Sequence, residues 1–323
     1  MRCIPLIPLF LAGSTSAASA QPATSVLDTV QQAQPIDSTT QADDLKLRKD
    51  PNERMTVAVT LGGVGPYRFI VDTGADRTAI SSEVVSRLGL RKGETAALHT
   101  MTGTSSVQTA TVPSLQVSRS DLRIVDAPVL DAEKMGADGI LGTDSLRSQR
   151  VMFDFEKNMM TIVPSKQRVT REDGTIIVTG RMKNGRLIVT NAMADENMIT
   201  AVLDTGSEVC IGNEALRRKL EHSGQLLNTG AIEIESVTGE MLPGQFTFVK
   251  KLKVGDVTLG NLAVVFADAH TFKLLGLNDR PALLLGMNAF RAFKKVSIDF
   301  ANRKLRVVMP ESGSIDAAVM AAR

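Results

Sequence analysis

Tryptophan is absent from this chain of 323 residues, tyrosine occurs once, at Tyr67, and aromatics of all kinds make up only 4%. Neither charge dominates: 37 basic and 35 acidic residues are interspersed and leave a formal +2, which excludes a strong electrostatic case for a nucleic-acid partner. No apolar run reaches the roughly 18 residues that mark a membrane-spanning helix, so no integral membrane segment is expected. Cysteine appears only at Cys3 and Cys210, too few for a disulfide framework. The three histidines, His99, His222 and His270, are scattered and form no His-Glu-x-x-His run, so zinc chemistry has nothing to rest on. No metal or cofactor is expected. The Gly62-Gly-Val-Gly65 run lacks the Lys-Ser/Thr of a phosphate-binding loop and reads as a hairpin turn. What is present is an ordinary globular composition, 43% hydrophobic and 22% charged, enough to fill one large core or two smaller ones.

The start of the chain reads as an export signal: Arg2 supplies a positive charge, Ile4 to Gly13 a short apolar stretch, and Ala18-Ser19-Ala20 a small-residue cleavage site. Cleavage after Ala20 removes Cys3 and leaves Cys210 alone, so a periplasmic or secreted product would hold together by packing. From Gln21 to about Pro51 the sequence is rich in Gln, Ser, Thr, Asp and Pro and lacks sustained periodicity, as a flexible leader does. Beyond it, period-two alternation predominates. Met55–Leu61 and Tyr67–Val71 flank a turn over Gly62–Pro66, and Thr175–Thr179 and Leu187–Thr190 flank one at Asn184-Gly185. Helical signals are short: Ser82 to Leu88, Glu214 to Leu220 and Asn288 to Phe293.

An ordered repeat organises the rest. Phe69-Ile-Val-Asp72-Thr73-Gly74-Ala75 returns as Ala201-Val-Leu-Asp204-Thr205-Gly206-Ser207. Gly139-Ile-Leu-Gly142 before Val151–Phe155 returns as Leu283-Leu-Leu-Gly286 before Val296–Phe300, and Met101-Thr102-Gly103 returns as Val237-Thr238-Gly239. Each copy ends on a further strand, Met160–Pro164 or Leu305–Pro310. Four landmarks repeating in one order point to duplicated lobes of about 115 to 125 residues each, a normal domain size. Within a copy, an apolar strand delivers an Asp, and the Gly two residues later allows a sharp turn and close approach to another chain. Two such carboxylates brought together cannot easily both ionise and share one proton, which suits one to act as a general base on water while its partner acts as the acid.

The paired Asp-Thr-Gly motifs, each with a later hydrophobic-hydrophobic-Gly, resemble the aspartic peptidases. The short lobes and Asp72-Thr-Gly-Ala-Asp76 resemble the retropepsin-like branch, as two tandem lobes in one chain over roughly residues 54 to 310. The resemblance implies a mostly β fold of two closed, barrel-like lobes about a pseudo-two-fold axis, with few short helices. Together with the N-terminal reading it divides the chain into a signal peptide 1–20, a leader 21–50, a first lobe 51–165, an inter-lobe hairpin and linker 166–185, a second lobe 186–310 and a tail 311–323. It assigns catalysis to Asp72 and Asp204, and cross-lobe hydrogen bonds to Thr73 and Thr205. Gly74 and Gly206 would offer carbonyls to a substrate main chain. Ala75, Asp76, Ser207 and Glu208 would line the binding site, with Thr102-Gly103 and Thr238-Gly239 as flap tips over an extended peptide. Gly142 and Gly286 would pack beneath the active-site loops.

Where retroviral enzymes carry Arg-Asn after the hydrophobic-Gly, this chain has Thr143-Asp144 and Met287-Asn288, so the arginine of the usual inter-chain ion pair is missing from that place. Cys210 is expected to be a buried, inert thiol, no histidine being spaced to activate it. The expected function is exported aspartic endopeptidase, a monomer acting as a pseudo-dimer on peptide or protein substrates. The alternative is a peptide-binding scaffold that keeps the cleft and has lost the chemistry.

Overall fold

The computed structural model describes residues 55–310, apart from 118–119, 170–171 and 227–229, together with short strands at Cys3–Pro5, Leu11–Gly13, Asp43–Lys46 and Arg48–Lys49. The expected cleavage site at Ala18-Ser19-Ala20, most of the 21–50 leader and the 311–323 tail lie outside the described residues.

The first lobe opens with the hairpin Met55–Leu61 and Val64–Val71. Alternation along its first strand buries Val57, Val59 and Leu61 and leaves Ala58 outside. The turn is shorter than expected. The strand resumes at Val64, because Gly62 and Gly63 take the positive φ values, 58° and 78°, that a two-residue hairpin turn requires. From this hairpin the sheet passes through Gly139–Leu141, Ala79–Ser81, Ser120–Leu130 and Thr104–Val117. The last of these pairs back onto the first strand, Gln116 opposite Thr60, so the sheet closes on itself.

The second lobe repeats the scheme. Arg186–Ala194, Asn197–Leu203, Ala282–Leu285, Cys210–Gly212, Val257–Phe266 and Met241–Val254 follow one another, and the last returns to the first with Val254 opposite Ala192. Closure leaves these strands no free edge.

Two strands of 14 residues each, Thr104–Val117 and Met241–Val254, serve two purposes. The first five residues of each are exposed or half-buried, and the later ones return to buried-and-exposed alternation. The outer halves pair with Lys92–His99 and Gly230–Glu235 and project as flaps; the inner halves belong to the closed sheets.

The helices lie close to where the sequence puts them. Ser82–Leu88 begins after Ser81, whose Oγ accepts from Val84 N at 3.2 Å, and ends at Gly89 in the left-handed region. Glu214–His222 begins after Asn213, whose side chain accepts from Leu216 N at 2.9 Å, and runs two residues past the expected Leu220. The third expected helix is a single turn at Met287–Phe290. Among the described residues no helix is long and apolar enough to cross a membrane.

The closing strands of the two copies join each other. Gln149–Asp154 pairs antiparallel with Lys295–Asp299, Val151 opposite Ile298. Around this seam runs a six-stranded sheet that adds Met159–Pro164, Lys304–Val308, Thr175–Thr179 and Asp43–Lys46. Thr175–Thr179 therefore pairs with Lys304–Val308, not with Leu187–Thr190 as the sequence suggested. The turn at Asn184-Gly185 is real, but it joins Arg181–Lys183 to Arg186–Ala194. The chain leaves one sheet for the other at Gly180, where a Cβ would lie 2.6 Å from Ile188 O.

The seam buries Val151, Phe153, Val296 and Ile298 in the main core. On its other face Arg150 and Asp299, 3% and 0% exposed, pair at 3.1 Å, with Arg150 also donating to Ser165 O at 3.0 Å. Removing one member of a buried pair strands the other's charge. Asp299→Ala is therefore expected to cost about 3–5 kcal/mol in urea unfolding, and Arg150→Met combined with Asp299→Leu far less. Equal losses in the two proteins would contradict this account.

Candidate active site

Phe69, Ile70 and Val71, all 1% exposed or less, carry the chain into Asp72, and Ala201, Val202 and Leu203 do the same for Asp204. Each Asp is fixed first by its own backbone. Asp72 N donates to Leu141 O at 3.1 Å and Asp204 N to Leu285 O at 3.0 Å, anchoring both loops to the parallel strands that end in the hydrophobic-Gly landmarks. Asp72 Oδ1 accepts from Gly74 N at 2.7 Å and Ala75 N at 3.1 Å; Asp204 Oδ1 accepts from Gly206 N at 3.1 Å.

The loops then interlock. Thr73 N donates to Thr205 Oγ1 at 3.0 Å and Thr205 N to Thr73 Oγ1 at 3.1 Å. The hydroxyls pass their own protons across the interface, Thr73 to Leu203 O at 3.1 Å and Thr205 to Val71 O at 2.7 Å. A Cβ at Gly74 would overlap the Asp204 carboxylate, and one at Gly206 the Asp72 carboxylate. Glycine is required at both places by close approach, each loop being wedged against the other's acid.

Both carboxyls are 0% exposed. Burial pushes both above the ordinary carboxylate range; the charge of Asp204 adds to the rise at Asp72, and the Arg186 guanidinium opposes it at both. The Oδ2 atoms of the two acids make no hydrogen bond outside the pair, while the two carboxyls stand close enough to hydrogen-bond each other.

Arg186 is the residue that the sequence reading missed. It opens the first strand of the second lobe, is entirely buried, and reaches across to the first: Nε donates to Gly74 O at 2.8 Å and Nη1 stands 2.9 Å from Asp76 Oδ1. This is an inter-lobe ion pair supplied from a place other than the hydrophobic-Gly landmark. Gly74 O is thereby already engaged, with one lone pair left. Burial raises Asp76 to about 7, with Arg186 working against it. Glu208, the counterpart of Asp76, pairs with Arg291 at 2.7 Å within its own lobe.

The residues after the hydrophobic-Gly pairs are structural. Gly142 and Gly286 sit under their loops, where a Cβ would strike Arg77 and Val209 backbone. Asp144 accepts from Thr78 N and Oγ1 at 3.0 and 2.7 Å; Asn288 Oδ1 accepts from Cys210 N and Sγ at 3.0 and 3.1 Å. Cys210 thus stands where the first lobe has Thr78, and burial pushes its thiol up to about 12, far from a nucleophile's range. Ala75 and Ser207 are both fully buried beside the acids, and Ser207 Oγ donates to Val209 O at 2.7 Å.

Thr102-Gly103 and Thr238-Gly239 lie at the flap tips, which touch each other through a Thr102 Oγ1 to Glu240 Oε2 hydrogen bond. Among the described residues no group of three or more His, Cys, Asp or Glu side chains is placed to hold a metal ion.

Two family models match in tandem, one per lobe: "gag-polyprotein putative aspartyl protease" over residues 57–148 and "Aspartyl protease" over residues 190–289. No curated protein matches the chain. Among solved structures, an aspartic proteinase from Irpex lacteus is similar over 84% of this chain and 98% of its own, at 12% identity and a TM-score of 0.48.

Two outcomes follow from this geometry. Thr205→Val leaves Thr73 N–H and Val71 C=O without partners at a dry interface, at about 1–3 kcal/mol each, whereas Thr205→Ser keeps both bonds; urea unfolding of the two variants separates the cases. Carboxyls whose pKa is raised by folding hold their protons more tightly in the native state. Their stabilising contribution is full below the ordinary value of 3.8 and is lost as pH rises through the native value. The melting temperature should therefore rise between about pH 7 and about pH 4, and Asp72→Asn should flatten that rise while melting a few degrees higher at the neutral end. An unchanged slope in Asp72→Asn would refute the assignment of the strain to this pair.

Proposed function

Because the chain is a two-lobed aspartic peptidase, we propose that Asp72 and Asp204 are its catalytic dyad and that it works as an exported endopeptidase on extended peptides. One observation carries the reading: each acid is wedged against the other lobe's Gly, so neither site is complete without the other. The Oδ1 atoms of Asp72 and Asp204 are held by backbone N–H groups of their own loops. The Oδ2 atoms, which make no hydrogen bond outside the pair, are left for water and the scissile carbonyl.

A dry, like-charged pair keeps one proton between its members. The ionised member takes a proton from the attacking water while the protonated member gives its own to the carbonyl oxygen. Collapse of the tetrahedral species returns a proton to the leaving amine, with no covalent enzyme intermediate. The Thr73–Thr205 bonds fix the loops so that this geometry is formed before substrate arrives. The flap strands offer main-chain groups to which an extended peptide can pair, and the first-lobe and second-lobe acids Asp76 and Glu208 border the site, each held by an arginine. Export rests on the N-terminal charge, the apolar stretch and the small-residue site ending at Ala20.

The test is cleavage of a diverse peptide pool by protein lacking residues 1–20, over about pH 3 to 8, beside Asp72→Asn and Asp204→Asn. Each substitution is expected to lower kcat/KM by about 10³-fold or more with the fold retained. Since burial raises both acids, the singly protonated pair survives at higher pH than ordinary carboxylates would allow. Near-native turnover in either variant would overturn the dyad. Tight peptide binding without cleavage by the unsubstituted protein would identify a binding cleft instead.

A further inference from the structure

Asp72 and Asp204 are wholly buried, so a peptide reaches them only after part of the structure moves. The flap tips are what stands packed on either side. Met101, at the tip of the first flap, is 0% exposed and packs in an apolar cluster of the second lobe with Ile211, Phe272 and Leu284. Val237, at the tip of the second, packs in a cluster of the first lobe with Ala75, Leu130 and Ile140. Each flap is plugged into the opposite lobe.

The first flap carries an additional fastening. Met101 O accepts from His270 N at 2.7 Å, at the start of the short helix His270–Leu274 of the second lobe. His99, the last residue of the flap's first strand, places Nδ1 3.2 Å from His270 Nε2, with the rings stacked at 5.4 Å between centroids. Thr104 Oγ1 lies 2.9 Å from the His99 nitrogen and 3.3 Å from the His270 nitrogen. The second flap is braced instead by its own Ser236–Thr238 hydroxyl pair, 2.7 Å apart, and by the aliphatic stem of Lys134 against Gly239.

We infer that the His99–His270 contact is a proton-sensitive latch, which holds the first flap into the second lobe while at least one imidazole is neutral and releases it when both are protonated. The chemistry is simple: the bond needs one ring nitrogen to accept, and two imidazolium rings offer only donors and repel. The surroundings favour the neutral pair. The charge of Arg186 disfavours a proton on His99 and that of Lys273 disfavours one on His270, while Asp268, itself paired with Lys273 at 3.0 Å, favours one there. Glu240 meets the same flap through Thr102. Burial lowers both histidines below the ordinary 6.5, with the neighbouring cations adding to it. A group whose pKa is depressed in the closed state holds that state above its ordinary value and loses it as pH falls through that range. Mild acid would thus open the cleft.

The proposal rests on reading the buried acids as the catalytic pair, but its test does not require cleavage. Hydrogen exchange at amides 98–104 of the full chain, corrected for intrinsic rates, should be at least about tenfold faster near pH 5 than near pH 8. Amides 234–240 of the other flap serve as the internal control. In His99→Asn combined with His270→Gln, where amides replace the two contacting nitrogens and cannot charge, the step should vanish whether the flap is held or loose. Exchange that does not change with pH in the native protein, a step of equal size in both flaps, or a step that survives in the double variant would overturn the latch. A clean step in a protein that cuts no peptide would uphold it and fail the catalytic reading.

Discussion

Four hydrogen bonds between the loops of Thr73 and Thr205 hold together two acids that would otherwise repel and rehydrate. Each bond satisfies a polar group that the interface has dried, so none can be given up cheaply. The glycines set how close the loops come, and the threonines keep them there. Everything around this knot serves its rigidity: the parallel strands under each loop, the closed sheets that end those strands, and the seam of antiparallel strands that prevents the lobes from sliding.

The two halves have kept the knot and diverged around it. Thr78 and Asp144 in one lobe correspond to Cys210 and Asn288 in the other, so the same brace is built once around a carboxylate and once around an amide and a thiol. Asp76 is held by an arginine from the opposite lobe, Glu208 by one from its own. Only one flap meets the opposite lobe through imidazole among the described residues. A dimer of identical chains could not hold such differences. Fusion of the two copies in one chain lets each acid have its own electrostatic setting, and each flap its own fastening.

Much of this was legible in the sequence because it is local or repeated. The Asp-Thr-Gly pair, the strands that deliver it, the flap tips and the helix Ser82–Leu88 all announce themselves within a few residues. Alternation gives a strand and its buried face but not its partner, which is why Thr175–Thr179 was matched to the wrong strand. Arg186 carries no motif; its meaning comes from a fold that brings the start of the second lobe under Gly74. His99 and His270 are 171 residues apart, and no spacing rule connects them.

The seam between Gln149–Asp154 and Lys295–Asp299 has a consequence for the timing of assembly. The first closed sheet uses residues 55–141 and is contiguous in the chain, so it can form while later segments are still being synthesised. The second acid and the strands that lock the lobes arrive last, from residues 204 to 308. A nascent chain therefore carries the first buried acid without the second from residue 72 until residue 204 is made, and the two loops are locked together only once the last strands have followed.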